Sequence, residues 1–132
     1  MVVIQINSRF EDRVLYECKA ESMLAALQKA VKNGAYLRGA YLRGTYLRGA
    51  DLREADLREA NLSEANLRGA DLDYASWPLW CGSLKAILDD RLKAQLLYHC
   101  ISVVGIDKFT SEQLAFANTF HRVGEVPLLE IK

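Results

Sequence analysis

The chain has 132 residues, 17 lysines and arginines against 17 acids, a formal net charge of zero, and 51% apolar residues. This bounds it to one compact domain, or one domain with appendages. No apolar run approaches the ~20 residues that span a bilayer, no signal peptide is visible in Met1–Asn7, and the three irregularly spaced cysteines suit a reducing, cytoplasmic setting better than a disulfide framework.

In chain order, Val2–Asn7 and Arg13–Cys18 are alternating, β-rich stretches separated by charged Glu11 and Asp12, which predicts a β-hairpin. Ser22 is placed to N-cap a helix from about Met23 to Lys32, ended by Asn33-Gly34. Its apolar stripe is Met23, Leu24, Leu27, Ala30 and Val31.

From Ala35 to Tyr74 the sequence repeats every five residues, eight times without a gap: AYLRG, AYLRG, TYLRG, ADLRE, ADLRE, ANLSE, ANLRG, ADLDY. Leu37, Leu42, Leu47, Leu52, Leu57, Leu62, Leu67 and Leu72 hold the centres. A small residue stands two places before each, alanine in seven units and Thr45 in the third. A period of five fits neither a helix nor a flat strand. On a helix the leucines would spiral around the surface, and on a strand they would alternate between faces. It fits short extended pieces joined by corners, with alanine and leucine inward and the other three residues outward.

This pattern resembles the pentapeptide-repeat family, whose core is alanine, Asp or Asn, leucine and two variable residues. The resemblance implies a mainly β solenoid: a short right-handed quadrilateral β-helix with four units per coil, here about two coils. With rungs ~4.8 Å apart, such a column is only about 10 Å tall, and both open ends expose strand edges. Caps are therefore expected. The domain reading is 1–34 as an N-terminal hairpin and helix cap, 35–79 as the repeat β-helix, and 80–132 as a C-terminal helical cap or dimerisation region.

After Tyr74 the repeat decays. ASWPL keeps Ala75 and puts Trp77 at the leucine position, and Pro78 then disrupts the pattern. Trp77, Leu79, Trp80 and Cys81 read as a bulky lid. Ser83 is placed to cap a helix from about Leu84 to Ser102, with Leu84, Ile87, Leu88, Leu92, Leu96 and Ile101 at helical spacing, ended by Gly105. Thr110 and Gln113 fit a capping box opening a further helix through about His121. Val126–Ile131 reads as a terminal strand. The WPLWCGSL stretch and its helices resemble C-terminal parts of small pentapeptide-repeat proteins of phage and prophage, in which such elements often serve dimerisation. That resemblance leaves a homodimer as one of two expectations, the other being a plain helical cap.

Chemistry is hard to find. Cys81, His99, Cys100 and His121 lack the close ligand pairs of zinc sites, and no nucleophile triad, phosphate loop or HExxH is present. No enzyme, cofactor or metal is expected.

The outward positions say more. With four units per coil, the fourth face holds Asp51, Glu54, Asp71 and Asp73 against Arg53, while the third holds only Arg48 and Arg68. Asp56 and Glu59 extend the acidic strip on the neighbouring face. Residues 35–54 carry four arginines and two acids, and residues 55–74 two arginines and five acids. Tyr36, Tyr41 and Tyr46 stand where the family carries Asp or Asn. Tyrosine gives large contact area at low entropic cost, although the caps are expected to cover at least one of the three.

Two functions follow. Several pentapeptide-repeat proteins mimic duplex DNA, so by resemblance this chain is a phage-type inhibitor of a host nucleic-acid machine, a topoisomerase or a CRISPR effector or other defence complex. A duplex carries one charge per about 1.7 Å, whereas the repeat is nearly neutral, so mimicry would be local to the acidic strip. The alternative is a protein-interaction or structural module without mimicry. Direct nucleic-acid binding ranks third, because the repeat arginines spread over all faces and alternate with acids.

Overall fold

A computed structural model describes residues 1–120 and 128–129. The described chain forms two compact units, one from Met1 to Ile87 and one beginning at Leu88.

In the first unit, β1 (Val2–Asn7) and β2 (Val14–Ala20) form an antiparallel hairpin, with Ile4 opposite Cys18 and an irregularity between Ile6 and Asn7. Helix α1 (Met23–Lys32) packs on both strands and buries Ala26, Leu27 and Ala30. Ser22 Oγ accepts from the Ala25 N–H at 3.1 Å and so satisfies one orphan donor of the first turn. Gly34, at φ +67°, ends the helix in the left-handed conformation glycine adopts freely.

The repeat forms no long strands. Its β-helix-type character lies in single parallel bridges between residues twenty apart: Tyr41 with Asn61, Tyr46 with Asn66, Asp51 with Asp71, and Asp56 with Ser76. Each rung uses several backbone bonds, as where Leu47 N–H donates to Asn66 O at 2.8 Å and Asn66 N–H donates to Thr45 O at 2.9 Å. The bridges thus pair each unit with the one four units later. All eight leucines are buried, seven of them at 1% exposure or less, and the alanines from Ala40 to Ala70 line the interior beside them. Thr45 is tolerated at an alanine place because its hydroxyl donates to Leu42 O at 2.7 Å.

The corners explain the fifth residue of each unit. The N–H of each small residue donates to the leucine carbonyl three places earlier, as from Ala50 to Leu47 at 3.1 Å, and the intervening residue has a positive φ. This is the pattern of a type II turn, which favours glycine there. Gly39, Gly44, Gly49 and Gly69 meet that need, while Glu54, Glu59, Glu64 and Tyr74 accept it at φ 60–63°.

The hairpin and α1 meet the first coil. Tyr41 N–H donates to Asn7 O at 2.8 Å, Arg9 N–H to Gly39 O at 2.8 Å, and Asp51 N–H to Gln28 Oε1 at 2.9 Å. These bonds occupy part of an edge that would otherwise offer unpaired donors.

The coil continues beyond Tyr74, which corrects the expected decay. Leu57 N–H donates to Ser76 O, Leu62 N–H to Gly82 O and Leu67 N–H to Ile87 O, at 2.7–2.9 Å. Asn66 bridges Ile87, twenty-one residues away instead of twenty. One residue has thus been inserted between Ser76 and Gly82, where Pro78, Leu79 and Trp80 stand. Lys85, at φ 62°, then restores the corner and Ala86 the small residue.

The helix expected from Leu84 is overturned for the same reason. A short 3-10 turn spans Cys81–Ser83, the coil claims the residues through Ile87, and α2 runs Asp90–Val104. Its cap is Asp89, whose carboxylate accepts from Leu92 N–H at 2.8 Å, not Ser83. The lid is also corrected: Leu79 is 95% exposed and Cys81 is exposed, so neither closes the coil.

In the second unit, α2 packs on α3 (Ser111–Asn118) through Ala94, Tyr98, Ile101, Leu114, Ala117 and Phe120, with Leu129 against them. The Thr110–Gln113 capping box is formed in both directions. Asn118 holds Leu129 by two bonds of 2.8 Å. His121 and most of the expected strand Val126–Ile131 lie outside the described residues. No helix of the described residues is long and apolar enough to cross a membrane.

Candidate functional site

Because the interior is leucine and alanine, anything the repeat recognises must meet its outer walls. The twenty-residue bridges stack unit on unit, so each wall is a column of two regular rungs. On the first column Arg38 makes a two-point pair with Glu59, at 3.0 and 2.9 Å, and Arg58 pairs with Asp56 at 2.7 Å. On the second, Arg43 meets Glu64 at 3.3 Å. On the fourth, Arg53 clasps Asp51 at 2.7 Å and lies 3.8 Å from Asp71. The acidic strip is therefore interrupted by its own arginine. Asp71 also accepts from the Asp73 N–H at 3.0 Å, a local turn bond. Among the described residues Glu54 forms no ion pair.

These pairs shift the carboxylates. Hydrogen bonds from the Arg53 side chain and N–H lower Asp51 to about 2. The Arg58 side chain holds Asp56 below the usual carboxylate range, and Arg38 does the same for Glu59. A depressed folded-state value means stability that is present above the unfolded value of about 4 and lost as pH falls through the folded one. The first unit should therefore melt at progressively lower temperature between about pH 4 and pH 2. The dependence should be blunted in Arg38→Ala with Arg53→Ala, as read by thermal melts across that range.

Tyr36, Tyr41 and Tyr46 are 59%, 49% and 61% exposed, so none is covered by the flanking elements as expected for at least one. They occupy three different columns and cannot meet one flat partner together. Sequence reasoning missed a fourth. Tyr74 is 81% exposed and sits at φ 60°, an outlier for a bulky side chain. The signal was available, since Tyr74 stands where every other regular unit has Gly or Glu.

It also missed a clamp on the first column. The Arg9 guanidinium lies 3.9 Å from the Phe10 ring centre and 3.7 Å from that of Trp80, and Arg9 Nε donates to Glu59 O. Trp80 Nε1 donates to Ala60 O at 2.8 Å. Hairpin, second coil and inserted segment are thereby tied through one cation–π stack. Nothing in the spacing of Arg9 and Trp80 announces it.

The remaining chemistry is dispersed. Among the described residues no group of three His, Cys, Asp or Glu side chains comes together as a metal site would require. His121, one of the four residues weighed for zinc, lies outside the described residues.

Compared with known proteins, residues 34–75 match the family model of pentapeptide repeats in eight copies. No curated protein and no solved structure matches the chain.

Proposed function

With residues 34–75 a pentapeptide-repeat array, we propose that this protein is a non-enzymatic protein-interaction module whose coil presents aromatic contacts on a stiff backbone. The proposed form of the array is a right-handed quadrilateral β-helix. The observation that carries the reading is the exposure of Tyr36, Tyr41, Tyr46 and Tyr74 on walls whose backbone is fixed rung by rung. Ordered backbone removes much of the entropic cost of binding, and tyrosine supplies area with few rotamers to freeze.

A narrower second reading is a phage-type inhibitor of a host nucleic-acid machine acting by local DNA mimicry. What favours it is the remaining acid excess of the fourth column at Glu54, Asp71 and Asp73. What weighs against it is Arg53 within that column, since a duplex surface has no cation of its own.

Affinity capture from a host lysate separates the two. The wild type should recover a partner, alanine at all four of Tyr36, Tyr41, Tyr46 and Tyr74 should lose it, and Asp71→Arg with Asp73→Arg should retain it. Retention by the four-tyrosine variant would sink the module reading. Loss of a nucleic-acid enzyme on the acid reversal alone would establish mimicry instead.

A further inference from the structure

Of the six repeat arginines, Arg38, Arg43, Arg53 and Arg58 each pair with a carboxylate. Among the described residues Arg48 and Arg68 pair with none. They occupy the same place in the third and seventh units, one rung apart, because Tyr46 bridges Asn66 and Gly49 N–H donates to Arg68 O at 2.9 Å. Two guanidinium groups about 4.8 Å apart at their backbones repel one another with no internal acid to offset them.

The corner beside them is equally particular. Where the other columns carry Glu54, Glu59, Glu64 or Tyr74, this one has glycine on both regular rungs. A Cβ on Gly49 would meet nothing within 4 Å, and one on Gly69 only the backbone of Gly49, at 3.8 and 3.9 Å. The result is an open strip of bare backbone with two unpaired cations on one side. Tyr46, 61% exposed, stands in the same column. Arginine, an open backbone and tyrosine together suit an anionic, extended ligand.

We propose that the Arg48–Arg68 column, with Tyr46, docks an acidic segment of a protein partner. An extended peptide places alternate side chains on one face about 7 Å apart, within reach of two flexible arginines on adjacent rungs. A nucleic acid is the poorer fit. Tight binding to a phosphate backbone draws on roughly six to ten cation contacts, and the next column presents Asp51, Glu54, Asp71 and Asp73. The inference rests on the interaction-module reading and assigns one of its contact surfaces.

The test is fluorescence anisotropy on the full chain, with a labelled ten-residue peptide of alternating Glu and Ser as probe. The wild type should bind it at low salt. Arg48→Glu with Arg68→Glu should weaken binding at least tenfold, and each single substitution about threefold. Arg43→Ala, which removes a paired arginine, should leave binding unchanged. Circular dichroism should show the double variant folded, since both side chains are exposed. Absence of wild-type binding, or equal binding by the double variant, overturns the proposal. So does a labelled DNA duplex that binds more tightly than the peptide. If the double variant still captures the lysate partner while the four-tyrosine variant does not, this assignment fails and the module reading stands.

Discussion

Leu57→Ala is expected to lower the stability of the first unit by about 4–5 kcal/mol. Leu57 is fully buried, and its column has a leucine one coil earlier, at Leu37, and Trp77 one coil later. The coil cannot collapse into the space, because its rungs are set by backbone bonds such as Leu57 N–H to Ser76 O at 2.9 Å. A cavity that cannot relax sits at the costly end of the large-to-small range. Leu72 is the contrast: it is 8% exposed and no described backbone bond joins its N–H to a later coil. Leu72→Ala should cost about half as much, since a partly open site can relax. Both tryptophans, Trp77 and Trp80, lie in the first unit, so intrinsic fluorescence in a urea titration follows that unit specifically. Equal costs at the two positions would mean that the column is not packed coil on coil as described.

The interior was legible in the sequence because its physics is periodic. A leucine and a small residue at fixed spacing predicted which side chains are buried, and parallel bridges join residues twenty apart along the repeat. The continuation past Tyr74 was not legible, because two periods compete there. Leu84, Ile87 and Leu88 read as a helical stripe, yet Ala86 and Ile87 also resume the five-residue pattern, one residue late. The backbone of Ala65 and Leu67, offering bonds of 2.7 and 2.8 Å to Ile87, decides for the coil. The acidic column was legible as composition and misleading as electrostatics: Arg53 is counted against four acids, but where it sits, clasping Asp51 and facing Asp71, is a matter of side-chain direction that no count contains. The same holds for Arg48 and Arg68, whose sum of charges was visible and whose lack of partners was not.

The inserted segment gives the sharpest test of how the three coils are tied. Gly82→Ala should destabilise the first unit by about 2–4 kcal/mol, although a single methyl is added. Gly82 does not lie in the left-handed region, so its conformation alone would admit alanine. The obstacle is steric: a Cβ there would stand 2.0 Å from Trp80 Cζ2 and 2.2 Å from Cε2. Gly82 has little freedom to move away, because it is buried and its carbonyl accepts from Leu62 N–H at 2.7 Å. The indole must leave instead. It then gives up the bond from Nε1 to Ala60 O and its place against Arg9. Trp80→Ala removes the same contacts without the clash, so in that background Gly82→Ala should cost little. A double-mutant cycle by urea denaturation, followed by circular dichroism, should return a coupling above 1 kcal/mol, as expected for groups in direct contact. Additive costs would show instead that the methyl is accommodated by the backbone, and that the Arg9–Trp80 stack does not hold the inserted segment to the second coil.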